Sequence, residues 1–353
     1  MALIVGSDLG RKSAHDAIIL RRETAKQVGA AFRFSSTPKG IEHLFQKIEA
    51  IQQDQEPIAF VMDSPGRAWI PVAAALKGRG FCVYRPSADR FRHVRKAGHR
   101  KNKTNQIDAL TLARCLVNFP EDTEEVFLPK GTQAQLDHLV RQRDRVVDSA
   151  RRRKQRIQDL GEAINPGLTK AMGSFIFTEA GRAFLRTYLD PRTVIRLGQN
   201  RLARFLQNRY RLPLQPQTVE DIFQACREAG EFYRPIRDAG QMPFEEATLQ
   251  EEMNWELGQL ENEETRLRTL EAKIKELNPK LDPQGALTSL PGIQHILAAG
   301  IRTCIGDIDR FDSLTKPKGY AGFYPASKGT GDHRANSVPI SKMSSKRYKR
   351  YLY

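Results

Sequence analysis

The chain opens on a short apolar run that ends in a carboxylate and a glycine. Residues 3–10 read Leu-Ile-Val-Gly-Ser-Asp-Leu-Gly. A continuous run of Leu, Ile and Val bounded by Gly is typical of a strand buried on both faces. Two more apolar runs, at 17–20 and 31–34, lie close enough along the chain to pair with it as hairpins. We therefore expect three adjoining strands, with Asp8 where the first leaves the core.

A second apolar run that ends in a carboxylate occurs at 58–63, where Ile-Ala-Phe-Val-Met leads to Asp63 and then to a Ser-Pro-Gly turn. Between the two runs, apolar residues recur at helical spacing over 38–51. A helix at 69–76 and a strand at 81–84 follow. This alternation predicts a mixed α/β sheet with acids gathered at strand ends.

The segment 85–103 is crowded with Lys, Arg and His, and we expect a loop that grips a phosphate backbone, although most such charge runs are simply solvated. It leads into Thr104, a plausible helix N-cap, and then into a helix. Asn105 and Asp108 are three residues apart, so their side chains share one helix face.

Together these stretches supply four oxygen-bearing side chains, those of Asp8, Asp63, Asn105 and Asp108. Carboxylates brought together repel one another unless cations neutralise them, and hard oxygen ligands suit Mg²⁺ or Mn²⁺. Two such ions about 4 Å apart can activate an attacking oxygen and stabilise a leaving one in phosphodiester cleavage. The alternative is structural, because Asp and Gly are ordinary turn formers. Three opening strands with an acid on the first are also the entry pattern of nucleases built on an RNase H-like sheet.

The net charge of the chain indicates what kind of molecule it binds. The 353 residues include 57 Lys and Arg against 41 Asp and Glu, a net charge of +16, which is expected of a protein that binds a phosphate-rich molecule. No apolar run of about 18 residues is present to span a bilayer, so we expect a soluble intracellular protein with no membrane partner. The sequence contains no glycine-rich phosphate loop, so it does not imply the use of ATP or GTP. Four widely spaced cysteines argue against a structural zinc site and for reduced, mostly buried thiols.

Two long helices are predicted in the middle of the chain. The first, over 132–164, has a strongly basic centre that favours a surface facing nucleic acid. The second, over 244–277, carries leucines near heptad spacing and many Glu, so it should pair with the basic helix or with its copy in another subunit. Between them, aromatic residues interleaved with Arg suit either RNA stacking or an ordinary helical core.

The end of the chain is basic again. Residues 290–293, Leu-Pro-Gly-Ile, resemble the turn of a helix-hairpin-helix, whose backbone N–H groups can hold a phosphate. From 316 to 353 nine Lys or Arg accompany one acid, and the last residues read as an unfinished helix, so we expect the native chain to continue. The side chains assigned to nucleic-acid binding along the whole chain are Arg95, Lys96, Lys101, Lys103, Arg151, Arg152, Arg153, Lys328, Arg334 and Lys342.

These blocks resemble a known family. Asp8 in its strand, Asp63-Ser-Pro-Gly and Lys-Thr-Asn105-Gln-Ile-Asp108-Ala are similar to the three acidic blocks of the DEDD transposases of the IS one-ten and IS eleven-eleven insertion elements. Ser-Leu-Pro-Gly-Ile at 289–293, Ile-Gly-Asp-Ile at 305–308, Ala-Gly-Phe-Tyr-Pro at 321–325 and Ile-Ser-Lys at 340–342 are similar to its C-terminal blocks. The resemblance covers residues 3–114 and 286–353.

The resemblance implies an α/β RNase H-like (RuvC-like) nuclease domain at 1–130, an all-α coiled-coil region at 131–278 and a small, mainly α C-terminal transposase domain at 279–353. It implies a DNA recombinase that uses Mg²⁺ or Mn²⁺ and a C-terminal hydroxyl nucleophile. Donor and target DNA, a structured guide (bridge) RNA and a homodimer that forms tetramers on DNA would be the partners. The location would be the prokaryotic cytoplasm, at the nucleoid.

Three positions depart from the family pattern. Asp63 stands where Glu is usual, Asn105 stands at the third acid, and Thr330 stands where the family places its serine nucleophile. Asn can still ligate Mg²⁺ but adds no charge. Threonine carries the same hydroxyl, and Ser327 is an alternative nucleophile. Two other functions therefore stay open: a junction-resolving nuclease that cuts with water, and an inactive relative that only binds nucleic acid.

Overall fold

The computed structural model describes residues 3–10, 14–53, 56–63, 66–98, 104–210, 214–311, 313, 315–321, 329–330, 333–334 and 346–352. The chain forms two compact units. The first joins residues 1–134 to residues 304–353, and the second comprises residues 135–303. The last fifty residues therefore belong with the beginning of the chain, while the division into three domains stays a prediction.

A six-stranded mixed sheet forms the centre of the first unit, in the order β3-β2-β1-β4-β5-β6. Its strands are β1 (Leu3–Leu9), β2 (His15–Arg21), β3 (Phe32–Phe34), β4 (Ile58–Met62), β5 (Cys82–Pro86) and β6 (Thr123–Glu125). The central strands β1, β4 and β5 are parallel, whereas β2, β3 and β6 pair antiparallel. The predicted mixed α/β sheet with acids at strand ends is confirmed.

Helices cover both faces of this sheet. They are α1 (Pro38–Glu49), α2 (Trp69–Gly78), α3 (Ala88–Ala97) and α4 (Asn105–Asn118). The apolar sides of α1 and α2 pack on one face, around Leu44, Leu76 and Phe60. The other face is covered by α4, around Ile4, Ala109 and Leu112. This double cover explains why β1 and β4 are continuous apolar runs.

The expected loop after Arg85 is wrong for most of its length, because residues 88–97 form α3. The helix begins where the Ser87 side chain accepts a hydrogen bond from the backbone N–H of Arg90. Asp89 in the first turn and Arg95 and Lys96 in the last turn suit the helix dipole. An N-cap serine followed by an acid was the helix signal in the sequence.

The second unit is helical. From the unit boundary onward its helices are α5 (Gly131–Ile164), α6 (Leu168–Met172), α7 (Glu179–Thr187), α8 (Pro191–Leu197), α9 (Gln199–Gln207), α10 (Pro216–Asp238), α11 (Glu246–Leu281) and α12 (His295–Ile305). Phe184 is fully buried in their common core, and Tyr188, Phe205 and Tyr210 pack against that core. These aromatic residues therefore build a helical core. None of the described helices is long and apolar enough to cross a membrane.

Ion pairs join the basic helix α5 to the acidic helix α11. Arg143 Nε lies 2.8 Å from Glu271 Oε1, and Arg153 Nη1 lies 2.9 Å from Glu256 Oε2. Glu256 is almost completely buried, so its charge needs a partner of this kind. The prediction that the acidic helix pairs with the basic helix is confirmed within a single chain.

The described remainder of the first unit is short. It contains α13 (Thr315–Ala321), β7 (Gly329–Thr330), β8 (His333–Arg334) and α14 (Lys346–Arg350), and β7 pairs antiparallel with β8.

All four cysteines are free thiols, and Cys115 and Cys226 are buried. Burial raises the pKa of the Cys115 thiol to about 12 and that of Cys226 to about 11, so both stay protonated and unreactive at neutral pH.

Candidate active site

Three aspartates occupy neighbouring strands at one edge of the sheet. Asp8 in β1 is the direct cross-strand partner of Asp16 in β2. Strands β1 and β4 are parallel, with Ser7 opposite Met62, so Asp63 follows β4 at the level of Asp8. The order across the strands is therefore Asp16, Asp8, Asp63. We call this group the acidic row.

The acidic row belongs to the sheet face that α4 covers. A Cβ atom on Gly6 would lie 2.1 Å from the carbonyl oxygen of Ala109, so β1 and α4 touch backbone to backbone. Side chains two apart in a strand share a face, so Asp8 follows Gly6 on the α4 side. The same alternation along β2 and β4, whose apolar residues pack against α4, places Asp16 and Asp63 there too.

Helix α4 begins directly beside this row. The Thr104 hydroxyl accepts a hydrogen bond from the backbone N–H of Ile107, 3.2 Å away, which fixes the first turn. Asn105 and Asp108 lie in that turn. The helix therefore carries Asn105 and Asp108 at the same end of the sheet as the acidic row, and the convergence of their oxygens on that row stays a prediction.

Asn105 makes a direct contact with the row. Its Nδ2 atom donates to Oδ2 of Asp16 at 3.2 Å, and Nε of Arg33 donates to Oδ1 of Asp16, also at 3.2 Å. Asp16 is only 2% exposed, whereas the Arg33 side chain is 71% exposed. A buried carboxylate with both oxygens engaged is well satisfied, so Asp16 is a fixed part of the site.

Asp108 has a cationic neighbour. Nε of Arg95, at the end of α3, lies 3.3 Å from Oδ1 of Asp108, and Asp108 is 8% exposed. The same Oδ1 atom is buried and accepts no hydrogen bond. The contact is therefore ionic without good hydrogen-bond geometry, and the hydrogen-bonding capacity of this oxygen is unused.

The site's fit to a divalent metal ion follows from donor chemistry. Within the described residues, no three His, Cys, Asp or Glu side chains are drawn together tightly enough to form a ready metal cage. The donors are nevertheless the oxygens that Mg²⁺ and Mn²⁺ prefer. Asp108 in addition contributes a buried oxygen without a hydrogen bond. The residues therefore fit a hard divalent cation.

His15 adjoins the row without adding positive charge. Burial lowers the pKa of its imidazole, although the backbone of Ala14 and the Asp16 carboxylate act in the opposite direction. Its Nε2 atom is 2.6 Å from Oγ of Ser36, and its ring packs edge-on against Phe34. A neutral imidazole beside Asp16 does not compete with a cation for the row.

The sequence-predicted basic residues differ in their surroundings. Lys96 on α3 and both Arg151 and Arg152 on α5 are exposed. Arg153 is instead paired with Glu256, and its guanidinium lies 4.7 Å from the centre of the Trp255 ring. Its charge is therefore already shared within the second unit.

Several predicted residues lie where side chains are not described. Thr330 and Arg334 are placed only by their backbones, in β7 and β8. Four others, Lys101, Lys103, Lys328 and Lys342, lie outside the described residues, as does Ser327. Their roles remain predictions.

Sequence reasoning missed Asp16. Its signal was the hairpin itself, since a symmetric pairing of residues 3–9 with 15–21 sets Asp16 opposite Asp8. A buried acid that begins an apolar strand is unusual enough to suggest a role.

Comparison with known proteins identifies the family of the chain. A family model for transposases of the DEDD type, named for IS110, matches residues 5–166. A second model, described as the transposase IS116/IS110/IS902 family, matches residues 284–353. The chain belongs to the IS110 family of transposases. The resemblance seen in the sequence is thereby confirmed, and both regions that carry it are the ones matched.

A curated relative is the "Insertion element IS110 uncharacterized 43.6 kDa protein" of Streptomyces coelicolor, which is 25% identical over 230 residues. The match covers 65% of this chain and 54% of the relative, so the chain spans about half the length of the relative that it matches. The IS110 model over 5–166 includes the acidic row and the start of α4, and the family suggests dependence on a divalent metal.

Proposed function

We propose that this protein is a DNA recombinase that cleaves and rejoins strands during transposition. The observation that carries the proposal is the acidic row under the first turn of α4, in a chain of the IS110 family. Carboxylates on neighbouring strands of one sheet face repel one another, and a bound cation relieves that repulsion. Phosphodiester chemistry is a common use of such a site.

In this proposal Asp8, Asp63 and Asp108 hold Mg²⁺ or Mn²⁺ through carboxylate oxygens, and Asn105 does so through its amide oxygen. The bound ions would supply Lewis-acid stabilisation of the charge that develops on the scissile phosphate. The carboxylates fix where that charge can be accepted, and the burial of Asp108 strengthens its electrostatic interactions. In the same proposal Arg95, which lies beside Asp108, contacts a phosphate oxygen of the incoming strand.

The proposed nucleophile is the hydroxyl of Thr330. Its oxygen forms a bond to phosphorus and loses its proton, the bond to the departing strand breaks, and the departing oxygen takes up a proton in exchange, so that no proton is gained or lost overall. Reversal of this step on a second strand completes the transfer. The segment that carries Thr330 belongs to the same compact unit as the acidic row, which supports their joint action.

Basic surfaces would hold the nucleic acids. In this proposal DNA is bound by the side chains of Lys96, Lys101, Lys103, Lys328, Arg334 and Lys342. The exposed Arg151 and Arg152 of α5 bind RNA or DNA. Donor and target DNA would be chosen by a structured guide RNA, with dimers joining through helices such as α11 into tetramers at the nucleoid. Sequencing of RNA that copurifies with the protein, with Arg151→Ala/Arg152→Ala for comparison, tests the guide.

The cleavage test uses labelled supercoiled and branched DNA with Mg²⁺, resolved on denaturing gels that retain protein–DNA adducts. We expect Asp8→Ala to lower the rate of cleavage by about 10³-fold or more, whereas DNA retention on a filter should be unchanged. Glu49→Ala, which removes an exposed acid of α1, should cut normally. Unchanged cutting by Asp8→Ala would refute the metal-site assignment.

The nucleophile is tested in the same assay. We expect a covalent adduct that Thr330→Ala loses, while Thr330→Ser and Ser327→Ala retain it. An adduct that survives Thr330→Ala and disappears in Ser327→Ala would move the role to Ser327. Nicked product without any adduct would mean attack by water, and binding without cutting by the unaltered protein would refute the enzymatic proposal.

A further inference from the structure

Asn105 is a departure from an acidic site, and its amide is engaged by a carboxylate on another strand. Nδ2 of Asn105 lies 3.2 Å from Oδ2 of Asp16. A side-chain amide has one donor end and one acceptor end, and only the donor end is attracted by a carboxylate oxygen. The reverse orientation would set two acceptors against each other, so the amide's orientation is determined by Asp16. The carbonyl oxygen Oδ1 of Asn105 is thereby directed away from Asp16.

Asp16 is held independently of Asn105. Its other oxygen, Oδ1, accepts a hydrogen bond from Nε of Arg33, the residue directly opposite Asp16 on β3. The carboxylate is 2% exposed and sits on the strand next to Asp8. A buried, doubly engaged carboxylate has little freedom to turn, so it is a rigid reference for the amide that it binds.

The contact between Asn105 and Asp16 also determines how negative charge is distributed in the site. If residue 105 were Asp, two carboxylates would face each other where the Asn105–Asp16 hydrogen bond now lies, and like charges at this distance repel strongly. With Asn105 present, the negative charge at this contact lies on Asp16, which is also paired with the exposed Arg33. Compared with a chain that has Asp at position 105, this arrangement places one charge on β2 instead of α4. Four aspartates still lie at this edge: Asp8, Asp16, Asp63 and Asp108.

We propose that Asp16 is the positioning residue of the metal centre, which orients the Asn105 amide so that its carbonyl oxygen serves as a ligand. The inference rests on the proposed function, since it assumes a divalent cation at the acidic row. Asp16 acts through Asn105 and replaces, in the charge of the site, the carboxylate that Asn105 does not have. Partners of this kind typically change metal affinity by about 10–100-fold.

The test measures Mn²⁺ affinity of the full chain without DNA, by calorimetry and by the electron paramagnetic resonance of free Mn²⁺. We expect Asp16→Ala to weaken binding by about 10–100-fold, because the amide loses the acceptor that orients it. Arg33→Gln is the matched control, since it removes the other partner of Asp16 and leaves the Asn105 contact. It should change the Mn²⁺ affinity by less than about threefold, because the charge of the 71% exposed Arg33 is largely screened and the pairing of β2 with β3 still holds Asp16.

The decisive variant exchanges the two residues. Asp16→Asn/Asn105→Asp keeps one amide and one carboxylate in contact with their roles reversed. We expect it to recover Mn²⁺ affinity to within about fivefold of the unaltered protein and to bind more tightly than Asp16→Asn alone. Circular dichroism and thermal unfolding without metal establish that each variant is folded. If Asp16→Ala does not fold, the exchange compared with Asp16→Asn decides the matter.

Two outcomes would overturn the inference. Folded Asp16→Ala that binds Mn²⁺ as tightly as the unaltered protein would show that Asp16 does not orient a ligand. Equal losses in Asp16→Ala and Arg33→Gln would show that Asp16 only ties β2 to β3. An unaltered protein that binds no Mn²⁺ would instead refute the metal centre of the proposed function itself, so the two failures are distinguishable.

Discussion

At the scale of single residues, the acidic edge combines carboxylates with a nearby guanidinium. Arg95 is 3.3 Å from Asp108 and lies near the end of α3, beside the exposed Lys96. A fixed positive charge beside a carboxylate lowers the affinity of that carboxylate for a second cation. When DNA is bound, a phosphate can share the guanidinium and relieve this opposition. Arg95 would thereby connect DNA binding to metal binding.

Replacement of this guanidinium should change the two affinities in opposite directions. We expect Arg95→Gln to tighten Mn²⁺ binding by about tenfold without DNA, because the competing charge is gone. DNA binding should weaken, with the slope of affinity against salt reduced by about 1. Lys96→Gln, an exposed neighbour, should weaken DNA binding similarly and leave the Mn²⁺ affinity as it was. Equal Mn²⁺ affinities in Arg95→Gln and the unaltered protein would contradict this role.

At the scale of elements, the site depends on the close approach of β1 and α4. Gly6 permits this approach, since any Cβ there would overlap the backbone of Ala109. The approach sets the first turn of α4 beside Asp8 and Asp16. Packing of the strand against the helix, rather than the candidate site residues themselves, therefore fixes the geometry of the site.

We expect Gly6→Ala to lower the free energy of unfolding by about 3 kcal/mol, because backbone atoms would have to move apart. Gly78→Ala is a suitable comparison, since a Cβ there meets nothing within 4 Å. That change should alter stability by less than about 1 kcal/mol. Urea unfolding followed by circular dichroism measures both, and a Gly6→Ala protein as stable as the unaltered one would show that the contact is loose.

The second unit has its own electrostatic signature. Both oxygens of Glu264 on α11 accept from Arg182 on α7, at 2.7 and 2.8 Å. These hydrogen bonds lower the pKa of the Glu264 carboxyl below its usual 4.5, although partial burial opposes them. A lowered pKa in the folded state stabilises the protein above the unfolded-state pKa, and this stabilisation disappears as the pH falls through the folded-state value.

Glu264→Gln should therefore be less stable than the unaltered protein at pH 7, and the difference should shrink as the pH falls below about 4.5. Glu276→Gln removes an exposed pair with Lys280 on the same helix and should cost less than about 0.5 kcal/mol at either pH. Urea unfolding at pH 7 and pH 3 provides the comparison. A difference for Glu264→Gln that is the same at both pH values would contradict the ion-pair explanation.

The sequence predicts the elements of the first unit well, because their signals are local. Continuous apolar runs mark β1 and β4, and Thr104 marks the start of α4. Asp16 could not be singled out in the same way, since its importance comes from pairing with Asp8 across a hairpin and with Asn105 over 89 residues. Likewise, Arg153 looks like its exposed neighbours in sequence, and only its pairing with α11 separates it from them.

At the scale of the whole molecule, the chain combines a net charge of +16 with one concentrated acidic edge. The basic excess attracts the phosphate backbone, and the acidic edge repels it unless cations are present. Both ends of the chain contribute to the unit that contains this edge. This arrangement suits the proposed recombinase, which would bind DNA broadly and need divalent cations to bring a phosphate to its carboxylates.

The most direct measurement is the anomalous diffraction of Mn²⁺ in crystals of the full protein. The account predicts a Mn²⁺ peak about 2.1 Å from carboxylate oxygens of Asp8 and Asp108, with Asp63 as a further ligand. The same crystals of Asp8→Ala should show no peak there. A peak that lies elsewhere in the unaltered protein, or none near these carboxylates at millimolar Mn²⁺, would contradict the account.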